Sequence, residues 1–342
     1  MVNVEFLGSG KQADGITPLV SVVVLTYNQK DYIAECLDGI LIQKVNFPIE
    51  IVLGEDESTD GTREICIEYA EKHPEIIRLF LRREKDKIYI NGKKTGRFNN
   101  IESLKVTRGK YIAFCEGDDY WTDPYKLQKQ VDFLERNPEY GMVHTDCDIL
   151  KEKEGVIICN YHASRSHVTQ SGNIYEFLLN KNLIDTCTVC IRKEFIVLSG
   201  TDYSYMMADY PLWLEVAHRS KIGYLPESTT TRRIRLESAS QSSDASKQFQ
   251  FNKSAYKIKF DYIRKYGCSD AIYRSVRINY IKLLLHRAVV SNNKKLLVEA
   301  STIMPLNSWP FAAYLLWVVA QNKLLRVLYV HFKKKQSNRR RF

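Results

Sequence analysis

Tyr111-Ile112-Ala113-Phe114-Cys115-Glu116-Gly117-Asp118-Asp119-Tyr120-Trp121 is the stretch that decides the fold. It begins as a short β-prone apolar run and then carries three carboxylates within four residues. A strand that ends in this way places negative charge at one edge of a sheet, and in an open α/β sheet ligands bind at that edge. Carboxylates this close repel one another unless a cation lies between them, and hard oxygen ligands suit Mg²⁺ or Mn²⁺. The stretch therefore predicts a site for a metal-bound diphosphate, with an acidic turn in solvent as the alternative.

Further strands with polar ends precede this stretch. Pro18 to Asn28 is a near-continuous β-branched run, typical of a strand buried on both faces of a parallel sheet. A helical pattern follows from Asp31. A second strand, Ile49 to Leu53, runs into the polar segment Gly54 to Thr62, and a third strand is predicted at Ile76 to Leu81. Alternating strands and helices predict an α/β fold whose polar strand ends line up along one edge of the sheet.

In this order and spacing, Val23 to Asn28, Glu55 to Thr62 and Glu116 to Trp121 resemble the nucleotide-sugar half of a family 2 glycosyltransferase with a GT-A fold. The similarity extends to the helix that begins at Lys126 and covers residues 18 to 240. It implies a mostly parallel sheet flanked by helices, in an enzyme that moves a sugar from a nucleotide-sugar donor to an acceptor hydroxyl with inversion. We further predict surface polysaccharide or glycolipid assembly with a saccharide or lipid-linked acceptor, the lipid-linked acceptor being suggested by the basic C-terminal tail.

The resemblance assigns roles to individual residues. The positions that match the family's donor-binding residues are Thr26, Asn28, Asp56, Glu116, Asp118 and Asp119. Asp56 matches the carboxylate that receives the base or ribose. Asp118, the second member of the Asp-x-Asp pair, is the implied ligand of Mn²⁺ or Mg²⁺. A divalent cation there stabilises the negative charge that develops on a nucleoside diphosphate leaving group. Glu stands at positions 55 and 116, where the family more commonly has Asp.

An isolated carboxylate, Asp209, precedes an apolar helical pattern that starts at Leu212. In the family, an acid that opens a helix at this place removes the proton from the acceptor hydroxyl. Ala208 stands where the family usually has another acid. A carboxylate near a helix start stays ionised, as a base must. We predict that Asp209 is the catalytic base; the alternative is a helix N-cap with Pro211 in the first turn.

Two basic segments are candidates for contact with the diphosphate. Arg232 to Ser240 resembles the family's Tyr-Arg-x-His-x-x-Ser-x-Ser segment, with Arg233 at the Arg position and Arg235 in place of the His. Arg82 to Asn100 is a basic loop whose glycines suit a mobile lid, and Arg97 is its predicted phosphate contact. A solvated loop is the alternative for Arg232 to Ser240.

Two other patterns have more than one interpretation. His144, Asp146 and Asp148 alternate along a predicted strand, as acceptor-pocket residues would, or as the polar side of a half-exposed strand would. Cys187 and Cys190 have Cys-x-x-Cys spacing, but no second pair or His follows at zinc-finger distance. Their alternating segment therefore favours a strand over a metal or redox site.

Composition points to a cytoplasmic enzyme. The 342 residues allow two domains, and Met1 to Asp14 lacks the apolar stretch of a secretory signal. The sequence has no apolar run of about 18 residues, the length that spans a bilayer. The eight cysteines lie mostly in apolar settings, as reduced thiols do. A net charge of +10 would also suit nucleic-acid binding, but the acidic cluster and the lack of a binding motif argue against it.

A serine-rich segment, Ser238 to Lys247, marks the predicted end of a glycosyltransferase domain over residues 18–240, after an N-terminal extension of residues 1–17. Residues 241–342 form a predicted helical region with a basic tail. Its helical patterns cover Phe251 to Tyr266, Ile272 to Val290 and Lys294 to Met304.

The tail begins with Trp309 to Ala320, which is apolar but too short to span a bilayer. Eight Lys and Arg residues follow, and no acid occurs after Glu299. This pattern predicts an interfacial anchor on anionic lipid at the inner face of the cell membrane. A terminal core helix followed by a disordered basic tail is the alternative.

Two other classes of protein fit part of the pattern. A sugar-1-phosphate nucleotidyltransferase shares the sheet and the metal, but it needs a Gly-rich, Arg-containing loop where this sequence has Thr26-Tyr27-Asn28-Gln29. A non-catalytic nucleotide-sugar-binding module keeps Asp56 and Asp118 but lacks the base.

Overall fold

The computed structural model describes residues 5–7, 17–90, 92–165, 170–197, 204–235 and 244–339. The chain divides into two compact units, residues 1–241 and 242–342. The described part of the first unit is a mixed α/β structure, and that of the second is helical. Most of the serine-rich segment, residues 236–243, lies outside the described residues.

A ten-stranded sheet forms the centre of the first unit, in the order β1-β4-β3-β2-β7-β11-β9-β12-β8 with β10 paired to β9. A separate hairpin is formed by β5 and β6. The strands are β1 (Glu5–Leu7), β2 (Val20–Thr26), β3 (Ile49–Glu55), β4 (Ile77–Leu81), β5 (Ile88–Ile90), β6 (Lys93–Thr95), β7 (Tyr111–Glu116), β8 (Tyr120–Trp121), β9 (Tyr140–Lys151), β10 (Val156–Ile158), β11 (Val189–Arg192) and β12 (Lys221–Ile234).

The middle of this sheet is parallel, as the apolar runs predict. Strand β2 pairs in parallel with β3 on one side and with β7 on the other, and β3 pairs in parallel with β4. In this register Thr26 lies opposite Glu55, and Leu25 lies opposite Glu116. Because parallel strands end at the same edge of a sheet, three polar strand ends from distant parts of the sequence meet there.

Six α-helices accompany this sheet in the described part of the unit. They are α1 (Ile33–Leu41), α2 (Thr62–Lys72), α3 (Arg97–Lys105), α4 (Lys126–Arg136), α5 (Tyr175–Asn180) and α6 (Asp209–Arg219). Helix α1 has its apolar residues at helical spacing, so Ile33, Leu37 and Ile40 are fully buried in the core with β2. It also approaches β8 closely, since a Cβ on Gly39 would lie 2.7 Å from the carbonyl oxygen of Trp121.

The second unit contains five described helices: α7 (Ala245–Tyr266), α8 (Asp270–Ser291), α9 (Lys294–Ile303), α10 (Phe311–Gln321) and α11 (Lys323–Arg339). The three helical patterns in the sequence are confirmed. Helix α7 begins earlier than predicted because Asp244 caps it, accepting hydrogen bonds from the backbone N–H groups of Ser246 and Lys247. Ile281, Leu284 and Ala300 lie at the centre of this unit's core.

In the described part of the chain, no single helix has the length and apolar character to cross a membrane. The pair Phe311–Gln321 and Lys323–His331 meets those criteria together, with a bend of 112° between the two helices.

Candidate functional site

The site begins where β2 ends. The hydroxyl Oγ1 of the buried Thr26 has no hydrogen-bond partner. A Cβ on Gly117 would lie only 2.8 Å from it, so this glycine lets the acidic segment approach β2. Asn28 has a left-handed φ of 50°. Its N–H donates to Oγ of Ser58 at 2.9 Å, and its Oδ1 accepts from the N–H of Thr59 at 3.0 Å. Asn28 therefore ties the end of β2 to the turn that follows β3.

Glu55 shapes that same turn. Its side chain is fully buried, and its Oε1 accepts from the N–H of Ser58 at 2.6 Å. Its Oε2 pairs with Nε of Arg63 on α2 at 2.5 Å. Asp60 accepts from the N–H of Thr62 at 3.0 Å, which fixes the start of α2. Glu55 thus organises the turn, and the next residue is the carboxylate presented beside it.

Asp56 is buried at the end of β3, and its Oδ1 has no hydrogen-bond partner. Burial raises the pKa of Asp56 to about 6, although the charge of Lys87 acts in the opposite direction. Lys87 Nζ lies 3.8 Å from Asp56 Oδ2 and 3.8 Å from the centre of the Tyr27 ring, whose side chain is exposed. Asp56 therefore offers an acceptor oxygen beside an exposed aromatic ring. Lys87 has no signal in the sequence because it follows an ordinary charged turn.

The acidic cluster lies at the end of β7. Glu116 Oε2 is buried without a partner, and burial together with the charges of Asp119 and Asp118 raises the pKa of Glu116 well above its usual range. Burial and the charge of Asp118 raise the pKa of Asp119 to about 7, although Asp119 Oδ1 accepts from the N–H of Arg233 at 2.8 Å. The side chain of Asp118 keeps 21% of its surface exposed. Burial and mutual repulsion thus both disfavour the ionised forms of Glu116 and Asp119.

A divalent cation fits this donor set. Ligand atoms of Glu116, Asp119 and Cys187 lie within 4.8 Å of one another. Burial raises the pKa of the Cys187 thiol well above its usual range, so this residue stays neutral and the oxygens supply the charge. Carboxylate oxygens are the ligands that Mg²⁺ and Mn²⁺ prefer. The unpartnered Glu116 oxygen and the accessible Asp118 carboxylate are the groups that such an ion would satisfy.

Arg233 forms hydrogen bonds with the acidic segment. Its guanidinium is buried between the rings of Tyr32 and Tyr120, with centroid distances of 5.1 and 4.6 Å. Its Nη1 donates to the carbonyl oxygen of Asp118 at 2.7 Å, and its Nη2 forms an ion pair with Glu35. These contacts hold the acidic segment in place, and a contact of Arg233 with the diphosphate stays a prediction.

Arg235 contacts the side-chain carboxylate of Asp118, whereas Arg233 contacts its backbone carbonyl. The Nη1 of Arg235 is 3.4 Å from Asp118 Oδ2. It is the residue that replaces the family's His, and it brings positive charge to the place where a diphosphate would meet Asp118. The rest of the matched segment, Leu236 to Ser240, lies outside the described residues.

Asp209 is the first residue of α6, and Ala208 occupies the N-cap position. The N-cap alternative for Asp209 is therefore wrong. Its Oδ1 accepts from the N–H of Tyr210 at 2.8 Å, and its Oδ2 accepts from Oγ1 of Thr186 at 3.2 Å. Asp209 lies near the acidic cluster, since its charge also contributes to raising the pKa of Glu116, behind burial and the nearer carboxylates.

The short segment 185–188 joins these parts of the site. Of its residues, only Cys187 was considered from the sequence, as part of a predicted strand, but Thr186–Thr188 form a helical turn and the strand that contains Cys190 begins at Val189. Trp121 donates from Nε1 to the carbonyl oxygen of Cys187 at 3.1 Å. Gln130, buried on α4, donates from Nε2 to the carbonyl oxygen of Thr188 at 2.7 Å. The segment thus places the Thr186 hydroxyl against Asp209 and the Cys187 side chain against the acidic cluster.

Asp185 fixes the other end of this segment. Its carboxylate pairs with Nε2 of His162 at 2.8 Å and with Nη1 of Arg232 at 2.6 Å. Burial by itself would raise the pKa of Asp185, but the hydrogen bond to His162 and the charge of Arg232 outweigh it and lower the pKa to about 2. Arg232 and Arg233 are adjacent on β12. This strand therefore contacts both the acidic cluster, through Arg233, and segment 185–188, through Arg232.

Arg97 has a different position from the predicted one. It is buried as the first residue of α3, and its Nη2 donates to the carbonyl oxygens of Tyr205 at 2.7 Å and Met207 at 2.6 Å. The segment Arg82 to Asn100, predicted as a loop, contains a helical turn, the β5–β6 hairpin and the first residues of α3. Arg97 therefore supports the segment that leads into Asp209, and its predicted phosphate contact is corrected to a positioning role.

The alternating residues of β9 also serve the framework. His144 is buried against the Tyr224 ring, and Asp146 accepts from the backbone N–H groups of Cys147, His162 and Ala163. Burial of β9 thus contradicts a half-exposed strand. Asp146, Cys147 and His162 also bring ligand atoms within 4.8 Å, but the carboxylate there is already occupied by backbone donors.

Comparison with known proteins places this site in context. Residues 21–148 match the family model for glycosyl transferase family 2. An uncharacterized protein of Mycobacterium tuberculosis is 34% identical over 214 residues, which are 63% of this chain and 58% of the relative. The chain therefore spans less than two thirds of the length of that relative. The putative teichuronic acid biosynthesis glycosyltransferase TuaG of Bacillus subtilis is 29% identical over 178 residues, 52% of this chain and 63% of the relative.

Solved structures share the fold. The S. aureus TarS 1–349 structure in complex with UDP-GlcNAc has a TM-score of 0.59 at 15% identity and covers 92% of each chain. The mannosyltransferase PcManGT from Pyrobaculum calidifontis, in complex with GDP-Man and Mn²⁺, has a TM-score of 0.57 at 18% identity and covers 96% of this chain and 87% of its own. The sheet order, the strand-end carboxylates and these similarities agree on one fold, that of the GT-A glycosyltransferases.

Proposed function

We propose that this chain transfers a sugar from a nucleoside diphosphate donor to an acceptor hydroxyl, as expected of glycosyl transferase family 2, whose model residues 21–148 match. The observation that carries the proposal is the meeting of three strand ends at one sheet edge, with Asp209 near them. The ends of β2, β3 and β7 bring together the unpartnered oxygens of Thr26, Asp56 and Glu116. The relative named for teichuronic acid biosynthesis supports a polysaccharide as the product class.

The donor's nucleoside lies at the ends of β2 and β3 in this proposal. Tyr27 is 45% exposed and offers a face on which a base can stack, while Asp56 Oδ1 accepts from the base or a ribose hydroxyl. The diphosphate then extends toward Asp118 and Arg235, which lie 3.4 Å apart across an ion pair.

A divalent cation, Mn²⁺ or Mg²⁺, held by Asp118 and reached by the Glu116 oxygen, would supply positive charge against the diphosphate leaving group. Arg233 donates to the carbonyl oxygen of Asp118, and ligand atoms of Cys187 and Asp119 lie within 4.8 Å of that of Glu116. Preorganised charge of this kind lowers the barrier because it is already in place when the bond breaks.

Asp209 removes the proton from the acceptor hydroxyl. The acceptor oxygen then forms a bond to the anomeric carbon from the face opposite the diphosphate, the bond from that carbon to the diphosphate oxygen breaks, and the diphosphate leaves with the electron pair. One displacement of this kind inverts the anomeric configuration. The hydrogen bond from Thr186 at 3.2 Å holds one oxygen of Asp209, which leaves the carboxylate oriented as a base requires.

Four proteins test the proposal: the native chain, Asp118→Asn, Asp209→Asn and Asp132→Asn. Asp132 lies on α4, where its partly exposed side chain pairs with Arg136, so it is a matched control for loss of one carboxylate. Each protein is titrated with UDP and with GDP by calorimetry, with and without Mn²⁺. Each is then incubated with a panel of nucleotide-sugars and saccharide acceptors, and products are analysed for the anomeric configuration.

The expected results separate the two roles. Asp118→Asn loses the Mn²⁺-dependent part of nucleoside diphosphate binding, while Asp209→Asn keeps binding and loses turnover by about 100-fold or more. Asp132→Asn behaves as the native chain. If Mn²⁺-dependent binding is unchanged in Asp118→Asn, the metal assignment fails. Near-normal turnover in Asp209→Asn would contradict the assignment of Asp209 as the base. If the native chain binds nucleotide-sugars but transfers no sugar from any donor, the protein is a nucleotide-sugar-binding module.

A further inference from the structure

Two consecutive helices at the end of the second unit expose apolar side chains. On each helix these residues recur at intervals of three and four, so they lie on one side of it. Phe311 has 80% and Leu324 has 68% of its surface exposed. The six residues, which we call the C-terminal apolar face, are Phe311, Tyr314, Leu315, Leu324, Val327 and Leu328. Exposed apolar residues grouped in this way indicate contact with a partner or a lipid surface.

The opposite side of α10 packs against the core of the second unit. Ala313 and Ala320 are buried, and Ala313 belongs to the core of the second unit together with Leu284 of α8. Small residues on this side let α10 approach α8 closely. The packing fixes the rotation of α10, so the apolar side chains on its other side point away from the core of their own unit.

Charge accompanies this face. From residue 300 to the C-terminus the sequence contains eight Lys and Arg residues and no Asp or Glu. One of them, Lys323, is exposed at the start of α11 beside Leu324, and three more follow as Lys333-Lys334-Lys335. Arg326 is partly buried on the other side of α11, where it donates to Oδ1 of Asn292. Apolar residues beside an unbalanced positive charge are complementary to a surface that combines hydrocarbon with negative charge.

That complementarity distinguishes between possible occupants. A second copy of this chain would bring the same patch against itself in a two-fold dimer, and its uncompensated positive charges would then face each other. A nucleic acid would match the charge but not Phe311, Leu315 and Leu328. An anionic lipid bilayer matches both, because its headgroups carry the negative charge and its acyl chains accept the apolar side chains.

The helices are suited to lie on a bilayer. Helix α10 has 11 residues. At a rise of 1.5 Å per residue it is roughly 16 Å long, about half of the hydrocarbon thickness. The chain then bends by 112° into α11. Because one side of α10 packs in the core of the second unit, the apolar side chains on its other side are free to enter a membrane surface.

We propose that the C-terminal apolar face and the basic residues around it bind the surface of an anionic lipid bilayer, with the apolar side chains inserted at the level of the headgroups. This inference is independent of the proposed transferase activity, because it uses no residue of the first unit.

The test is co-sedimentation of the full-length chain with phosphatidylcholine vesicles, with and without phosphatidylglycerol, at low and high salt. One variant replaces three residues of the C-terminal apolar face: Phe311→Ser, Leu324→Ser and Leu328→Ser. Its matched control replaces three other exposed apolar residues of the same unit, Tyr273→Ser, Val290→Ser and Val298→Ser. A charge variant carries Lys333→Gln, Lys334→Gln and Lys335→Gln. Circular dichroism and thermal melts establish that every variant is folded.

The native chain is expected to sediment with phosphatidylglycerol vesicles at low salt and less so at high salt. The apolar-face variant should lose binding by about tenfold or more, the charge variant should bind on the order of tenfold or more weakly, and the control should match the native chain. Four results overturn the proposal: native protein that stays in the supernatant at low salt, equal losses in variant and control, bound protein that resists both high salt and alkaline carbonate as a spanning segment does, or a vesicle-free dimer that the apolar-face variant abolishes.

Discussion

Asp56 shows how one buried carboxylate can favour ligand binding at the expense of stability. Burial raises its pKa from the usual 3.8 to about 6. In the unfolded chain the carboxyl keeps its lower pKa, so between pH 4 and pH 6 the folded state binds more protons than the unfolded state. This group therefore stabilises the fold progressively as the pH falls from 7 to 4, and its ionised form destabilises the fold at neutral pH.

Asp56→Asn is expected to raise the free energy of unfolding at pH 7 by about 2 kcal/mol, and this difference should shrink toward zero near pH 4. The same substitution should weaken nucleoside diphosphate binding, because an amide offers a donor where the proposed ligand also donates. Urea unfolding at both pH values and calorimetry with UDP and GDP provide the measurements. Asp132→Asn is the control for a partly exposed carboxylate. Equal stability of native chain and Asp56→Asn at pH 7 would contradict the prediction.

For individual residues, the sequence indicates which carboxylates lie at the candidate site, but not which other residues contact and position them. Asp56, Glu116 and Asp118 follow apolar strands, and that pattern is local. The contacts of Arg97 with Tyr205 and of Thr186 with Asp209 join residues far apart in the chain, so no local pattern encodes them. Arg97 was predicted as a phosphate contact from its basic, glycine-containing surroundings, which do not reveal that its guanidinium is buried.

Among the secondary-structure elements, those with strong periodicity were predictable. The strands β2, β3 and β4 and the helices α8 and α9 lie within a few residues of their predicted bounds. The β5–β6 hairpin and α3 were missed, because Lys93 to Lys105 contains polar residues throughout and shows little apolar periodicity. The parallel pairing of β9 with β12 joins residues about 80 positions apart, and such a pairing depends on tertiary contacts that a single sequence does not display.

The link between α3 and α6 has a testable consequence. Arg97 is the first residue of α3, and its guanidinium donates to the carbonyl oxygens of Tyr205 and Met207. Met207 is two residues before Asp209, the first residue of α6. Arg97→Lys keeps the charge but loses the planar fork that reaches both carbonyls. Turnover is expected to fall on the order of tenfold, with nucleoside diphosphate affinity unchanged, because the base is displaced while the strand ends remain intact.

Steady-state transfer kinetics and calorimetry on the same preparation measure these two quantities. Arg136→Lys is the matched control, since Arg136 is a solvent-exposed residue of α4. A parallel loss of nucleotide affinity in Arg97→Lys would restore Arg97 to the diphosphate site and remove its positioning role.

On the scale of the whole molecule, each of the two units has its own core. The first is built around β2, β3 and α1, and the second around α8 and α9. The proposed donor site draws all of its residues from the first unit, whereas the proposed lipid-binding face lies entirely in the second. The sequence indicated this division through the change from alternating strands and helices to helices alone, together with the serine-rich segment.

Separate cores predict separate responses to ligands. A ligand that binds only the folded first unit stabilises that unit in proportion to the logarithm of its concentration over its Kd, about 2.7 kcal/mol at 100 times Kd. Differential scanning calorimetry of the full-length chain should therefore show one transition that moves to higher temperature with UDP or GDP and Mn²⁺, and a second that stays in place. In Asp118→Asn neither transition should respond to Mn²⁺. If the nucleotide shifts all of the heat absorption together, the two units unfold as one cooperative structure, and occupancy of the donor site then stabilises the lipid-binding helices as well.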